Sequence, residues 1–152
     1  MHFTFAAVGR IRAGPERDLQ NHYAGRLRWK LEIREVEERK KMPTAGRVQR
    51  EAELLAAACP ADAVRIALDG TGKQITSAGR ARRLGDWQDG GTGDLAFLIG
   101  GADGLDKKLL AGADLVLSLG PMTWPHLMVR GMLAEQIYRA QCILEGHPYH
   151  RA

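Results

Sequence analysis

Asp94-Leu95-Ala96-Phe97-Leu98-Ile99-Gly100-Gly101-Ala102-Asp103-Gly104 is the stretch on which the fold turns. Its apolar run is continuous, of strand length, and ends abruptly in glycine. A strand with one wet face alternates polar and apolar residues; an unbroken run belongs to a strand buried on both faces. Burial on both faces calls for helices on either side of a largely parallel sheet, and the flanking sequence supplies them.

Downstream, a short helix around residues 106–112 leads to Leu115-Val116-Leu117-Ser118-Leu119, a second buried strand. Gly120-Pro121-Met122-Thr123-Trp124-Pro125 forms a compact loop, and a long helix follows over His126–Leu144. The tail carries Gly146 and Pro148 and cannot be helical throughout. Upstream, Val64, Ile66 and Leu68 make a strand that ends at Asp69-Gly70-Thr71-Gly72-Lys73; Thr76 or Ser77 then caps a helix to about Gln88. Nearer the start, Phe3, Phe5 and Ala7 alternate into Val8-Gly9, and a helix is expected from Pro15 to Arg28. Leu31, Ile33 and Val36 suggest a short strand. Thr44 is the expected N-cap of a helix through Ala58, closed by Cys59-Pro60. Five strands alternating with five helices give an α/β fold, a mostly parallel sheet covered on both faces, in a single domain over residues 1–152.

Charge narrows the partner. The net charge is +4, and residues 1–60 hold 12 Lys/Arg against 8 Asp/Glu, so the surplus lies in the N-terminal part. Arg26, Arg28 and Lys30 form one cluster and Arg39, Lys40 and Lys41 another; each reads as a solvated face or as a phosphate-binding stripe. No apolar run approaches the roughly 20 residues that cross a bilayer. No signal peptide is visible, and Cys59 and Cys142 stand alone without metal-ligand spacing. A cytoplasmic protein with no metal and no membrane partner is expected.

Ligands of open α/β sheets bind beyond the carboxyl ends of strands. Three such ends are rich in Gly or Pro: after Leu68, after Ile99 and after Leu119. Glycines at 100, 101 and 104 permit positive φ and bare backbone. Gly100-Gly101-Ala102-Asp103-Gly104 lacks the Gly-x-Gly-x-x-Gly spacing of dinucleotide folds, and Gly70-Thr71-Gly72-Lys73 is no P-loop. Local reading therefore reaches a small-ligand site, adenine-containing by preference, of unassigned chemistry.

Leu98-Ile99-Gly100-Gly101-Ala102-Asp103-Gly104-Leu105 resembles the SPOUT class of RNA methyltransferases, and within it the ribosomal RNA large-subunit methyltransferase H family. Leu68-Asp69 with Gly72-Lys73, Met122-Thr123 with His126 and Arg130, Glu135 to Ala140, and Pro148-Tyr149-His150-Arg151 match in order and spacing. The resemblance implies a C-terminal trefoil knot, an exception to the unknotted rule. It also implies an obligate homodimer that uses S-adenosylmethionine to methylate N3 of a pseudouridine in 23S ribosomal RNA, within the assembled ribosome. Carried over by residue, cofactor contacts fall on Leu68, Gly100, Leu119, Gly120, Pro121, Met122, Thr123 and Trp124. Gly120-Pro121 departs from the small polar pair usual before Met-Thr, and Gly131 from a bulky aliphatic residue.

On the last helix, Val129, Leu133, Ile137, Ala140 and Leu144 recur as a core face. Leu127, Gly131, Ala134 and Tyr138 form a second apolar face with small residues at its centre, which reads either as packing within the subunit or, as the resemblance favours, as the dimer interface. Glu135 and Arg139 pair across one turn. His126 and Arg130 share a face after the cofactor loop, as RNA contacts, with Arg130 lacking an acid one turn away and free to steady a developing oxyanion. At the tail, Tyr149 can stack on a base, Arg151 can hold phosphate and His150 can accept a proton. The competing readings are a ribosome-binding protein without activity and a nucleotide-binding sensor or oxidoreductase.

Overall fold

Five parallel strands form one sheet in the order β2-β1-β4-β3-β5 in the computed structural model, which describes residues 1–151. The elements are β1 (His2–Val8), α1 (Pro15–Ala24), β2 (Lys30–Val36), α2 (Thr44–Ala58), β3 (Val64–Gln74), α3 (Ser77–Asp89), β4 (Asp94–Ile99), α4 (Lys107–Ala111), β5 (Leu115–Ser118) and α5 (His126–Leu144). The apolar run at 94–99 is the central strand. Ile99, at its carboxyl end, pairs with Ala7 on one side and Leu68 on the other.

The two faces of the sheet are built differently. Phe3 and Phe5 on β1 and Phe97 on β4 point to one face, where they pack with Leu84 of α3 and Leu133 and Ile137 of α5. Each such side chain removed from water contributes about 1.5–3 kcal/mol. Ala6, Ala67 and Ala96 line the opposite face, and their small size lets the alanine-rich α2 settle through Leu55 and Cys59. Leu105, Leu109 and Leu110, in and beside α4, cover the rest of that face. The expected sheet, covered on both sides, is present.

Several local expectations are corrected. Helix α1 stops at Ala24 rather than Arg28, with Gly25 at its C-cap. Pro43 occupies the N-cap of α2, and no side-chain cap hydrogen bond forms, so Thr44 is the first helical residue instead. The strand through Leu68 does not end at Asp69: β3 continues to Gln74, shifting register against β5 between Leu68 and Lys73. Gly72 permits this, because a Cβ there would lie 2.6 Å from the Val116 carbonyl carbon.

Helix α5 has the expected limits, but its second face is spoken for within the subunit. A Cβ on Gly131 would stand 2.7 Å from Leu19 Cδ2 of α1, and Ala134 and Tyr138 are buried. The stretch assigned to a dimer interface is therefore the seat of α1. Small residues bring two helices close wherever the second helix comes from. On the core face, Leu133, Ile137 and Ala140 are buried, whereas Leu144 is 43% exposed.

Candidate cofactor site

Three loops leave the sheet side by side and enclose an open pocket of about 320 Å³. Leu68, Asp69 and Gly70 form one wall, Gly100, Gly101 and Gly104 a second, and Leu119, Gly120, Pro121, Met122, Thr123 and Trp124 a third. Every residue expected to touch the cofactor lines this one space. The parallel register is the reason: Leu68 and Ile99 are paired, and Leu68 also pairs with Leu117, so the loops beyond them exit at the same level.

The Gly100 loop is held by contact more than by dihedral freedom. Of its three glycines only Gly104 has a positive φ, +79°. Gly100 is required by space, since a Cβ would sit 2.9 Å from the Gly104 carbonyl carbon, across the bridge that closes Gly101 on Gly104. A salt bridge from Arg47 of α2 to Asp103, 2.7 Å long, anchors the outer side of the loop. The third wall is pinned by Ser118, whose buried hydroxyl accepts from the Gly120 amide at 3.1 Å and donates to the Gly120 carbonyl at 3.2 Å.

Two features suit an adenosine-bearing ligand. The buried indole Nε1 of Trp124 has no hydrogen-bond partner among the described residues, an unsatisfied donor in the pocket wall. Met122, 65% exposed, adds apolar surface at the rim. The titratable side chains in the lining are Asp69 and His126. Asp69 is occupied, accepting from the Thr71 amide and hydroxyl at 2.9 and 2.6 Å.

His126, expected as an RNA contact, opens α5 at the pocket, with its Nε2 3.8 Å from where a Cβ of Gly9 would stand. Arg130, one turn on, does not reach the surface. Its side chain is fully buried; Nη2 donates to the carbonyls of Val8 and Gly9 at 3.0 and 2.7 Å, and Nη1 meets Glu35 of β2 at 3.1 Å. Burial pulls its pKa below the ordinary value, against the opposing pull of Glu35. The expectation that Arg130 contacts RNA and steadies a developing oxyanion is thus corrected. Its acidic partner comes from β2, 95 residues away in sequence, and the guanidinium fastens the end of β1 to the start of α5.

The tail lies elsewhere. Tyr149 donates from its hydroxyl to Glu135 Oε1 at 3.0 Å, lies 3.2 Å from the Tyr23 hydroxyl, and packs edge-on against Tyr138 with centroids 4.8 Å apart. Burial, with the Tyr23 and Glu135 hydrogen bonds, pushes its pKa well above that of a free phenol. Nδ1 of His150 lies 3.4 Å from Arg139 Nη1, and that guanidinium is itself paired with Glu135 through Nε at 3.0 Å. Arg151 is exposed. None of the three tail side chains lines the pocket of their own chain. Between tail and pocket runs a groove of about 460 Å³ on the α1–α3–α5 surface, which shares Tyr23 and Glu135 with the tail and Leu119 with the pocket. Sequence reasoning missed Glu35, Ser118 and this groove. A Ser beside the loop was visible but gave no signal of its own.

A family model described as "Predicted SPOUT methyltransferase" matches residues 1–150. Curated relatives named ribosomal RNA large subunit methyltransferase H include one from Rhodospirillum centenum, 57% identical over 152 residues and the whole of both chains. Another, from Rhodospirillum rubrum, is 53% identical over the same full length. Among solved structures, a "probable methylase family protein" of Haemophilus influenzae superposes with a TM-score of 0.60 at 10% identity, over 99% of this chain and 70% of that one. A protein of Legionella pneumophila, described as a methyltransferase and solved with SAM bound, gives 0.50 at 13% identity, over 93% of this chain and 66% of that one. At these identities the two structures speak for the fold. From the family match and the full-length relatives, the chain belongs to the SPOUT methyltransferases and, within them, to the ribosomal RNA large subunit methyltransferase H family.

Proposed function

We propose that the protein is an S-adenosylmethionine-dependent methyltransferase acting on N3 of a pseudouridine in 23S ribosomal RNA, in the assembled ribosome and as a homodimer. The observation that carries the reading is the convergence of the Leu68, Gly100 and 119–124 loops on one pocket with a bare backbone wall and a free buried indole donor. Those residues fit an adenosyl cofactor, and bound there it would supply an electrophilic methyl group on a sulfonium. Leu68, Gly100, Leu119, Gly120, Pro121, Met122, Thr123 and Trp124 would hold it. Their chemistry is shape and hydrogen bonding, because methyl transfer needs alignment and exclusion of water more than covalent help.

The pocket contains no free general base apart from His126 at its edge. An imide N–H must lose its proton to become nucleophilic. His150 is the base proposed for N3, with Tyr149 stacking on the target base and Arg151 and His126 holding RNA. Arg130 acts as a positioning residue, fixing α5 and the loop before it. The tail groups sit on the far side of a groove from their own pocket, which supports a site completed by the tail of a second copy. The strand order, with β5 outside β3 and α5 returning to the α1 side of the sheet, supports the knotted C-terminal half expected of the class. Its RNA substrate supports a cytoplasmic location.

Calorimetry distinguishes this reading from the alternatives. S-adenosylmethionine is expected to bind once per chain, with NAD and ATP giving no heat of binding. Salt-sensitive RNA affinity without cofactor binding would instead mark a non-enzymatic ribosome-binding protein.

A further inference from the structure

The sheet separates the two basic clusters, and only one of them stands beside the pocket of its own chain. Arg26, Arg28 and Lys30 lie at the start of β2, where Lys30 pairs with His2. At about 3.3 Å per residue, that edge is roughly 20 Å from the strand ends. Arg28 is there held by Glu145 at 3.0 Å, and Arg26 lies 4.3 Å over the Tyr138 ring. Arg39, Lys40 and Lys41 follow the other end of β2. Val36 pairs with Val8, and Ala7 with Ile99, so the segments 37–41, 9–14 and 100–104 leave the sheet next to one another. Adjacent strands stand about 4.8 Å apart, which places the first and last of these exits about 10 Å apart.

The acids on the segments after β2 and β4 are all engaged; Glu16 and Asp18, in the first turn of α1, make no salt bridge among the described residues and are outnumbered by the free cations named below. Glu35 holds Arg130 and accepts from the Ile11 amide, and Glu37 pairs with Arg39. Glu38 takes Arg50 and the Lys40 amide, Asp103 takes Arg47, and Asp106 caps α4. Arg10, Arg12, Lys40 and Lys41 are exposed and make no salt bridge among the described residues. The unneutralised charge of the edge is therefore positive. A shallow depression of about 330 Å³, lined by Gly9, Arg10, Glu35 and Arg39 among others, lies within it.

We propose that this rim, Arg10 and Arg12 from the β1–α1 loop with Lys40 and Lys41 after β2, is the phosphate-binding surface that leads the RNA strand to the cofactor pocket. The proposal rests on the methyltransferase reading above. Phosphates are the occupant because four unpaired cations on two neighbouring loops suit a polyanion. The Arg130–Glu35 pair is what keeps the first of these loops against β2.

The test is steady-state methylation of ribosomes lacking the modification, at several salt concentrations, with wild type and two variants. In the first, Arg10→Ala, Arg12→Ala, Lys40→Ala and Lys41→Ala are combined. In the second, Lys30→Ala and Arg82→Ala remove two exposed cations away from the rim. The four-site variant is expected to raise KM for ribosomes about tenfold or more and to flatten the salt dependence by about three in the logarithmic slope. Its kcat and its calorimetric affinity for S-adenosylmethionine should stay within twofold of wild type. The two-site variant should change KM less than twofold. Equal KM effects in both variants, or none in the four-site variant, would overturn the rim. A wild type that binds no S-adenosylmethionine would overturn the functional reading itself, whatever the variants do.

Discussion

Arg130 and Glu35 lie 95 residues apart in sequence and 3.1 Å apart in space, and their pair closes the corner where β1, β2 and α5 meet. The same guanidinium satisfies the carbonyls of Val8 and Gly9. One buried side chain thus serves three acceptors.

Replacing Arg130 by Met leaves the Val8 and Gly9 carbonyls without this donor and takes the cation from the partly buried Glu35 carboxylate, which keeps only the Ile11 amide. The cost is about 2–3 kcal/mol, a fall in Tm of roughly 5–10 °C for a domain of this size. Arg130→Lys should recover less than half of it, because one ammonium cannot reproduce the planar fork. Thermal and urea unfolding, compared across the three proteins, check this; a variant within 1 °C of wild type would contradict it.

Gly100→Ala tests the cofactor site without touching the core. The new methyl meets the Gly104 carbonyl carbon at 2.9 Å, so the bridge between Gly101 and Gly104 must open. Affinity for S-adenosylmethionine is expected to fall at least tenfold, about 1.4 kcal/mol, while the far-ultraviolet circular dichroism is retained. Unchanged affinity would place the cofactor elsewhere.

The tail makes a spectroscopic prediction. Tyr149 and Tyr138 both have raised pKa values, Tyr149 chiefly through burial and Tyr138 chiefly through its contact with Cys142. A raised pKa in the fold means the neutral phenol is favoured there. The resulting stability is fully present below the ordinary tyrosine value of about 10 and is lost as pH rises through the folded value. Tyrosinate absorbance should therefore develop late in alkaline titration, with unfolding accompanying it. Tyr149→Phe should remove the latest step and make alkaline unfolding less steep. Three tyrosines titrating together near the free-phenol value would contradict it.

Deletion of residues 149–152 is expected to abolish methylation with cofactor affinity within twofold of wild type. Mixing that truncated chain with full-length Gly100→Ala chains should restore part of the activity, since one mixed site then combines an intact pocket with an intact tail. Full activity of the truncated protein alone would rule out a role for the tail. No recovery on mixing would rule out its action across subunits.

What the sequence made legible follows from the range of the interactions involved. The central strand and both ends of α5 were readable because a continuous apolar run and a 19-residue stretch between the breakers Pro125 and Gly146 are local signals. The three loops could be marked as bare backbone, and their meeting in one pocket follows from parallel register. Continuation of β3 past Asp69 was hidden. Asp-Gly-Thr-Gly is good turn sequence, and only the approach of the β5 backbone to Gly72 makes it strand. The partner of Arg130 was equally hidden, because a residue on β2 meets one on α5 only after the sheet is assembled. The small residues at Gly131 and Ala134 announced a close helix neighbour without saying whose; Leu19 of the same chain answers that.

The most direct test of the central claim is methylation of ribosomes lacking the modification, prepared with and without prior pseudouridylation, using labelled S-adenosylmethionine and mass-spectrometric mapping of the product. One methyl group per ribosome at N3 of a single 23S pseudouridine, formed only after pseudouridylation, is the predicted result. Label on another nucleotide, label independent of pseudouridylation, or no transfer by a protein that binds the cofactor would contradict the account.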